Sequence, residues 1–579
     1  MNCSAPPRRR TTAFVLGLVT LATLAARAQA VIPPAPPPPK VPTVQVSADL
    51  SQTLGPFRPI YSWFGYDEAN YTTTPLGRQL LGELHDLSPV PVHIRVHHLL
   101  TSGNGQAELK FSSTNVYRED AAGHPIYDFT LLDGIFDAYK AAGVQPLVEL
   151  GFMPKDLAAD LPDRHQPYQV HFPQSTISGA SNNPPKDYKK WGDLARAVTA
   201  HLVERYGRAS VEQWYFEVWN EPDIDYWHAS RDDYFRLYDY AVAGVRAALP
   251  TARVGGPATT GPASPHAYEY LKAFLDHVRS GKSAATGGKV PLDFISFHVK
   301  GHPTFAGGSV TMGLNRELQD ADRGFSLISQ YPSFGKLPVI LSEADPEGCA
   351  ACSARTNPAN NYRNGTLYPA YDAAAFKGLL GLAAEHHTNL IAILSWAFEF
   401  EGRDYFEGFR TLATNGIDKP ILNLFRMLGM MGGDRIAVTS TGSVPLATEV
   451  SAGVRASPDT DALATREDRR AAILLWNYYD AAEPGPATPV AVTVKGIPAG
   501  VRRVLVSEYR IDDTHSNAYT AWQAMGSPQQ PTTEQYAKLR NEEGLQLLTS
   551  PRWEDVTDGA LRVQTAMPPE SVSLLSVRW

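Results

Sequence analysis

Between residues 58 and 430 the chain repeats one pattern eight times. A short apolar or β-branched run is followed by a longer stretch in which apolar residues recur at three-to-four spacing. The runs are IYSWFGY, VHIRVHH, QPLVELGF, WYFEVWN, ARVGGPA, DFISFHV, PVILSEA and AILSWAFEF. Segments such as YFRLYDYAVAGVRAAL and AAFKGLLGLAAEHH separate them. Eight strands alternating with helices predict an α/β fold of the (β/α)8 barrel type, whose parallel strands are buried on both faces.

Outside that region the pattern changes. VAVTVKG, RVLVSEY and SVSLLSVRW are short, alternating or β-branched, and separated by Gly, Pro and Asp. They predict a second, smaller C-terminal domain over 431–579, an antiparallel β-sandwich, with a strand at 45–57 joining it. Residues 31–44 are proline-rich and read as a stiff linker. Residues 1–30 place Arg8, Arg9 and Arg10 before an apolar stretch and then Ala28-Gln29-Ala30, the order of a bacterial secretory signal. The apolar stretch falls short of a membrane-spanning helix. An exported protein, periplasmic or secreted, without a span in its mature part is therefore expected.

A net charge of -8 over 579 residues argues against a nucleic-acid partner. With Cys3 in the leader, Cys349 and Cys352 remain as CAAC. In an oxidising compartment this reads as a local disulfide, and two thiols alone do not complete a zinc site.

In a barrel of this type chemistry sits where the strands end. Strand two offers Arg95, His97 and His98; strand three ends near Glu149; strand four ends at Asn220 and Glu221. Strand six ends at His298 and Lys300 and strand seven at Glu343, while strand eight carries Trp396 followed by Glu399 and Glu401. Arg95 with Glu149 reads either as a site pair or as a buried ion pair that stiffens the barrel. Carboxylates on strands four and seven face each other across the mouth, which suits glycoside hydrolysis by an acid and a nucleophile or base. Glu221 has to hold its proton until it meets the leaving oxygen, and an apolar wall such as Trp219 favours that form. Asn220 suits a sugar hydroxyl. Glu343 has to be ionised, which nearby Arg or His donors favour.

WNEPD on strand four with a Glu ending strand seven resembles the clan A glycoside hydrolases. VELGFMP, YFEVWNEPD, ARVGGP and YRIDDTHSNAYTAWQAMGSP resemble glycoside hydrolase family 39, which holds β-xylosidases and α-L-iduronidases. The resemblance implies a retaining double displacement with Glu221 as acid/base and Glu343 as nucleophile, and no metal or organic cofactor. It implies sugar contacts at His97 and His298, a platform at Trp396, and carboxylate-binding positions at Lys300 and Arg410. Each of these also has a structural reading, and Lys300 equally suits holding Glu343 ionised. The expected partner is an oligosaccharide or glycoside, with β-D-xylosides first. An α-L-iduronidase-like activity, an arabinosidase or glucosidase, and a non-catalytic carbohydrate-binding protein are the alternatives. The stretch CAACSARTNPANNYRNG reads as a loop over the mouth that shapes the pocket, and YRIDDTHSNAY as packing between domains.

Overall fold

Each of the eight runs becomes a strand followed by a helix. The computed structural model describes residues 41–161, 172–482 and 484–579. The expected leader and most of the proline-rich segment lie outside them. The chain from Pro42 to Trp579 is one compact unit.

The barrel strands are Trp63–Tyr66, His93–Val96, Gln145–Leu150, Tyr215–Val218, Arg253–Thr259, Phe294–Lys300, Val339–Asp345, and a last strand in two pieces, Leu390–Ile393 and Ser395–Trp396. They run in chain order in one parallel sheet. The break at Leu394 lets the last strand serve both edges. Leu390–Ile393 pairs with strand seven, and Ser395–Trp396 pairs with strand one.

Local chemistry sets the helix ends. Thr74 caps Pro75–Asp86, with proline in the first turn. Ser230 and Asp233 form a capping box on Arg231–Ala248. The helix after strand seven, Leu367–Glu385, is apolar nearly all round. It lies between the barrel and the second sheet, where Tyr371 meets Tyr478 with ring centroids 5.8 Å apart and Lys377 pairs with Asp461. A helix with two buried faces has no need of a polar stripe.

The second sheet has nine strands, with Val44–Pro56 inside it. That strand runs antiparallel to Asp434–Ser440 and parallel to Thr488–Lys495, so the sheet is mixed where a purely antiparallel one was expected. The strand arrives from the far end of the sequence, and no hairpin dictates its direction.

Strand alternation decides what fills the barrel. Trp63, Leu147, Phe294, Ile340 and Trp396 share one buried apolar cluster inside it. One pleat nearer the mouth, the inward positions on strands two, three and four are Arg95, Glu149 and Glu217, all fully buried. Among the described residues no helix is long and apolar enough to cross a membrane.

Candidate active site

Arg95 is the foundation of the site. Its guanidinium donates to Glu217 (2.6 Å) and to Asn220 Oδ1 (2.9 Å), and it lies 2.9 Å from Glu149 and 3.3 Å from Glu343. One planar cation thus ties strands two, three, four and seven together, a task the five fixed donors of arginine suit. The Arg95–Glu149 pair is a buried ion pair, and it also touches the site.

Above it, strand four turns abruptly. Alternation from Tyr215 and Glu217 would aim Trp219 into the mouth. Instead Trp219 has φ 70° and Glu221 φ 43°, a region non-glycine residues enter only when their surroundings compel it. The indole is driven back into the core, 5.1 Å from Phe152 and 5.2 Å from Trp227, with its N–H donating to Tyr226 O. Trp219 is therefore not a wall beside Glu221, and Asn220 and Glu221 take the mouth in its place. The Glu221 backbone N–H donates to Ala258 O (2.9 Å) on strand five. Asp223 anchors the same turn by accepting from the backbone N–H (3.0 Å) and hydroxyl of Thr260.

A cavity of about 280 Å³ opens over these strand ends. His97, Asn220, Glu221, Lys300, Glu343 and Trp396 line it. His298 lies just beneath, fully buried, with Nδ1 2.8 Å from Glu221 Oε1 and Nε2 3.8 Å from Glu343 Oε1. One oxygen of each carboxylate and a His298 nitrogen all lie within 4.8 Å of one another. Such spacing is compatible with a metal ion, but Lys300 and Arg95 stand beside the same carboxylate and would repel one.

Glu343 is surrounded by donors. Lys300 Nζ lies 2.8 Å from its Oε2, and His97 Nε2 and Arg95 each lie 3.3 Å from its Oε1. Burial pushes its carboxyl up, but His298, Lys300 and His97 more than reverse this and leave it well below the ordinary carboxylate range. Burial also opposes charge on His97, yet Glu149, 2.6 Å from Nδ1, together with Glu343 and Asp67, raises the imidazole to about 9.

Other expected residues stand apart from the cavity. Arg410 is fully buried; it donates to Trp396 O (3.0 Å) and Glu347 Oε1 (2.8 Å) and lies 3.5 Å from Asp345. Glu399 accepts from Gly416 N, and Glu401 from Leu76 N. Cys349 and Cys352 are disulfide-bonded. Of the long loop they begin, Arg363 reaches back to donate to Cys349 O (2.9 Å) and Cys352 O (2.8 Å), while Gly348, just before it, touches the cavity. The YRIDDTHSNAY segment packs on the barrel loops, with Tyr519 donating to Asn361 (3.2 Å).

The cavity also takes in residues that sequence reasoning passed over. Asp67 and Thr260 follow strands one and five directly, so the strand-end rule applied there points to them. Lys110, Tyr226, Ser264, His302, Arg316 and Asp320 come from loops and a helix, where periodicity carries no such signal.

Comparison with known proteins agrees with this architecture. A β-xylosidase of Geobacillus stearothermophilus is 27% identical over 507 residues, 84% of this chain and 86% of that protein. The α-L-iduronidase of Mus musculus is 27% identical over 72% of this chain and 63% of its own length. The crystal structure of a monomeric β-xylosidase from Caulobacter crescentus CB15 superposes with a TM-score of 0.71 at 22% identity, over 92% of this chain and 99% of that one, a likeness of fold. The model of the glycosyl hydrolases family 39 matches residues 96–553, from the mouth end of the second barrel strand into Gln546–Asp555 of the second sheet. A match of that extent makes the chain a member of glycosyl hydrolase family 39 and a glycoside hydrolase.

Proposed function

We propose that the protein is a retaining, exo-acting β-D-xylosidase, with Glu343 as nucleophile and Glu221 as acid/base. The observation that carries this is the approach of the two carboxylates, with oxygens within 4.8 Å. Retaining enzymes place the pair about 5–5.5 Å apart, and inverting ones about 6.5–9.5 Å to admit a water. Glu343, held ionised by three neighbours, attacks the anomeric carbon, and Glu221 protonates the departing oxygen. The same residue then takes a proton from the water that releases the sugar. Asn220, oriented by Arg95, suits the hydroxyl next to the reacting carbon.

The charge arrangement favours a neutral sugar. Lys300 is paired with Glu343 and Asp345, Lys110 with Asp67, and Arg410 with Glu347. An iduronide carboxylate would find each of these cations already answered by an internal carboxylate. Two bacterial relatives matched over 84% and 78% of this chain are β-xylosidases, which points the same way, while a bacterial orthologue of human α-L-iduronidase shares the fold.

The export reading rests on residues 1–30. The β domain, 431–579 with the strand at 45–57, is read as a sandwich beside a catalytic barrel of 58–430. Val504 near one edge of the sheet order and Leu561 at the other share one apolar cluster, as a curled sheet requires.

The test is a panel of aryl xylosides, arabinosides, glucosides and iduronides with wild type, Glu221→Ala and Glu343→Ala. Xyloside cleavage lost in both variants is expected, with azide converting the xyloside to an inverted glycosyl azide in Glu343→Ala. No cleavage of any member by wild type would reject the reading.

A further inference from the structure

The line joining Glu221, after strand four, to Glu343, on strand seven, divides the barrel mouth into unlike halves. On the side of strands eight, one and two the cavity is lined by Trp396, Asp67, His97 and Lys110, which are 1–5% exposed. On the side of strands five and six it is lined by Thr260, Ser264, His302 and Arg316, of which the last three are exposed. The first half is a closed end that fits a terminal sugar. The second opens to solvent, where the rest of a chain has to leave.

The two halves also differ in charge. In the closed half Lys110 and His97 are paired with carboxylates, as is Lys300 on the dividing line. In the open half, Arg316 hydrogen-bonds the neutral amide of Gln319 (3.3 Å) and makes no ion pair among the described residues. Asp320, one turn on, feels the charge of Arg316 but forms no ion pair with it; its oxygens accept the backbone N–H groups of Ala263 (2.9 Å) and Lys300 (3.2 Å). A guanidinium on a substrate-facing rim that makes no close ion pair is suited to a carboxylate brought by the substrate.

We propose that Thr260, Ser264, His302 and Arg316 form the leaving-group subsite, and that Arg316 selects leaving groups bearing a carboxylate. The substrate class is an acidic oligosaccharide with a neutral terminal sugar, cleaved next to a unit that carries or precedes a uronic acid. This assignment rests on the glycosidase reading above and extends it to the other side of the scissile bond.

The experiment compares 4-carboxyphenyl β-D-xyloside with its methyl ester, using wild type, Arg316→Gln and Arg316→Lys. The ratio of kcat/KM for the acid over the ester cancels effects common to both. It is expected to fall about threefold in Arg316→Gln, the scale of an exposed ion pair, and to be largely retained in Arg316→Lys. In wild type alone the same ratio is expected to fall as sodium chloride is raised, because salt screens an exposed pair. A ratio insensitive to salt, or unchanged in Arg316→Gln, overturns the assignment while leaving the glycosidase reading intact. Failure of wild type to cleave either xyloside overturns the xylosidase reading and this assignment with it.

Discussion

Lys300 holds Glu343 and Asp345 at once: its ammonium lies 2.8 Å from Oε2 of the first and 2.7 Å from Oδ2 of the second. The lysine side chain is mostly buried, as are both acids. A cation shared this way keeps the proposed nucleophile ionised and spaces it from its neighbour two residues on.

Lys300→Met therefore leaves two buried carboxylates short of their cation. Breaking a buried pair costs about 3–5 kcal/mol, to be read from urea unfolding. The Glu343 carboxyl is depressed in the folded protein, so the stabilisation it brings is present above its ordinary value and lost as pH falls through the depressed one. With Lys300 gone that value rises, and the acid limb of kcat/KM should move to higher pH. An acid limb that stays in place would show that Lys300 does not govern Glu343.

The roles of the two carboxylates separate on a leaving-group series. In Glu221→Ala, xylosides with poor leaving groups should lose about 10²–10⁴-fold in kcat/KM, the usual worth of a general acid. Activated aryl xylosides should lose far less. In Glu343→Ala every member should be inactive without added azide. A Glu221→Ala loss independent of the leaving group would reverse the assignment.

His97 is raised from an ordinary value of 6.5 to about 9 by Glu149, Glu343 and Asp67, against the pull of burial. A raised histidine stabilises fully below its unfolded value and loses that contribution as pH climbs through the folded one. Wild type should exceed His97→Asn in unfolding free energy at pH 6 by a term on the order of 3 kcal/mol. The gap should shrink between pH 6.5 and 9 and be small at pH 10. An equal gap at pH 6 and pH 10 would speak against a charged imidazole.

Gly65 leaves room for the indole of Trp396. A Cβ at Gly65 would sit 2.4 Å from Trp396 Cε3 and 2.8 Å from Arg95 O. Gly65→Ala should cost about 1–3 kcal/mol by overpacking and raise KM, because the displaced ring is a wall of the cavity. An unchanged melting temperature and KM would show that the ring relaxes without consequence.

The loop beginning at Cys349 is tied down by an arginine as well as by its disulfide. The bridge closes a loop with a sequence separation of 3, worth about 2 kcal/mol by chain entropy. Arg363 binds both cysteine carbonyls and Glu347 from a fully buried position, and breaking that pair costs about 3–5 kcal/mol. Thermal unfolding should rank Arg363→Leu below Cys349→Ser. The reverse order would make the disulfide the principal anchor.

The strand ends named from the sequence converge because alternation and strand termination are local properties, set by which residues are apolar and where the run stops. That is why Asn220, Glu221, Lys300, Glu343 and Trp396 are found around one cavity. The wall expected at Trp219 is absent, since a positive φ interrupts alternation without any mark in a run of aromatics. The parallel pairing of Val44–Pro56 with Thr488–Lys495 joins segments more than 400 positions apart, beyond the reach of any local pattern.

The sequence alone determined a barrel of alternating strands and helices and the two carboxylates at opposite strand ends, because both follow from short-range apolar periodicity. Only the tertiary structure decided which charges are already answered. Lys300, Arg410 and Lys110 look alike as letters, and so does Arg316. The first three are paired within the fold, and Arg316 stands on the open rim without an ion pair among the described residues. Ion pairing acts through space at a few ångströms, and the partners are brought within that range by loops whose paths no run of residues spells out.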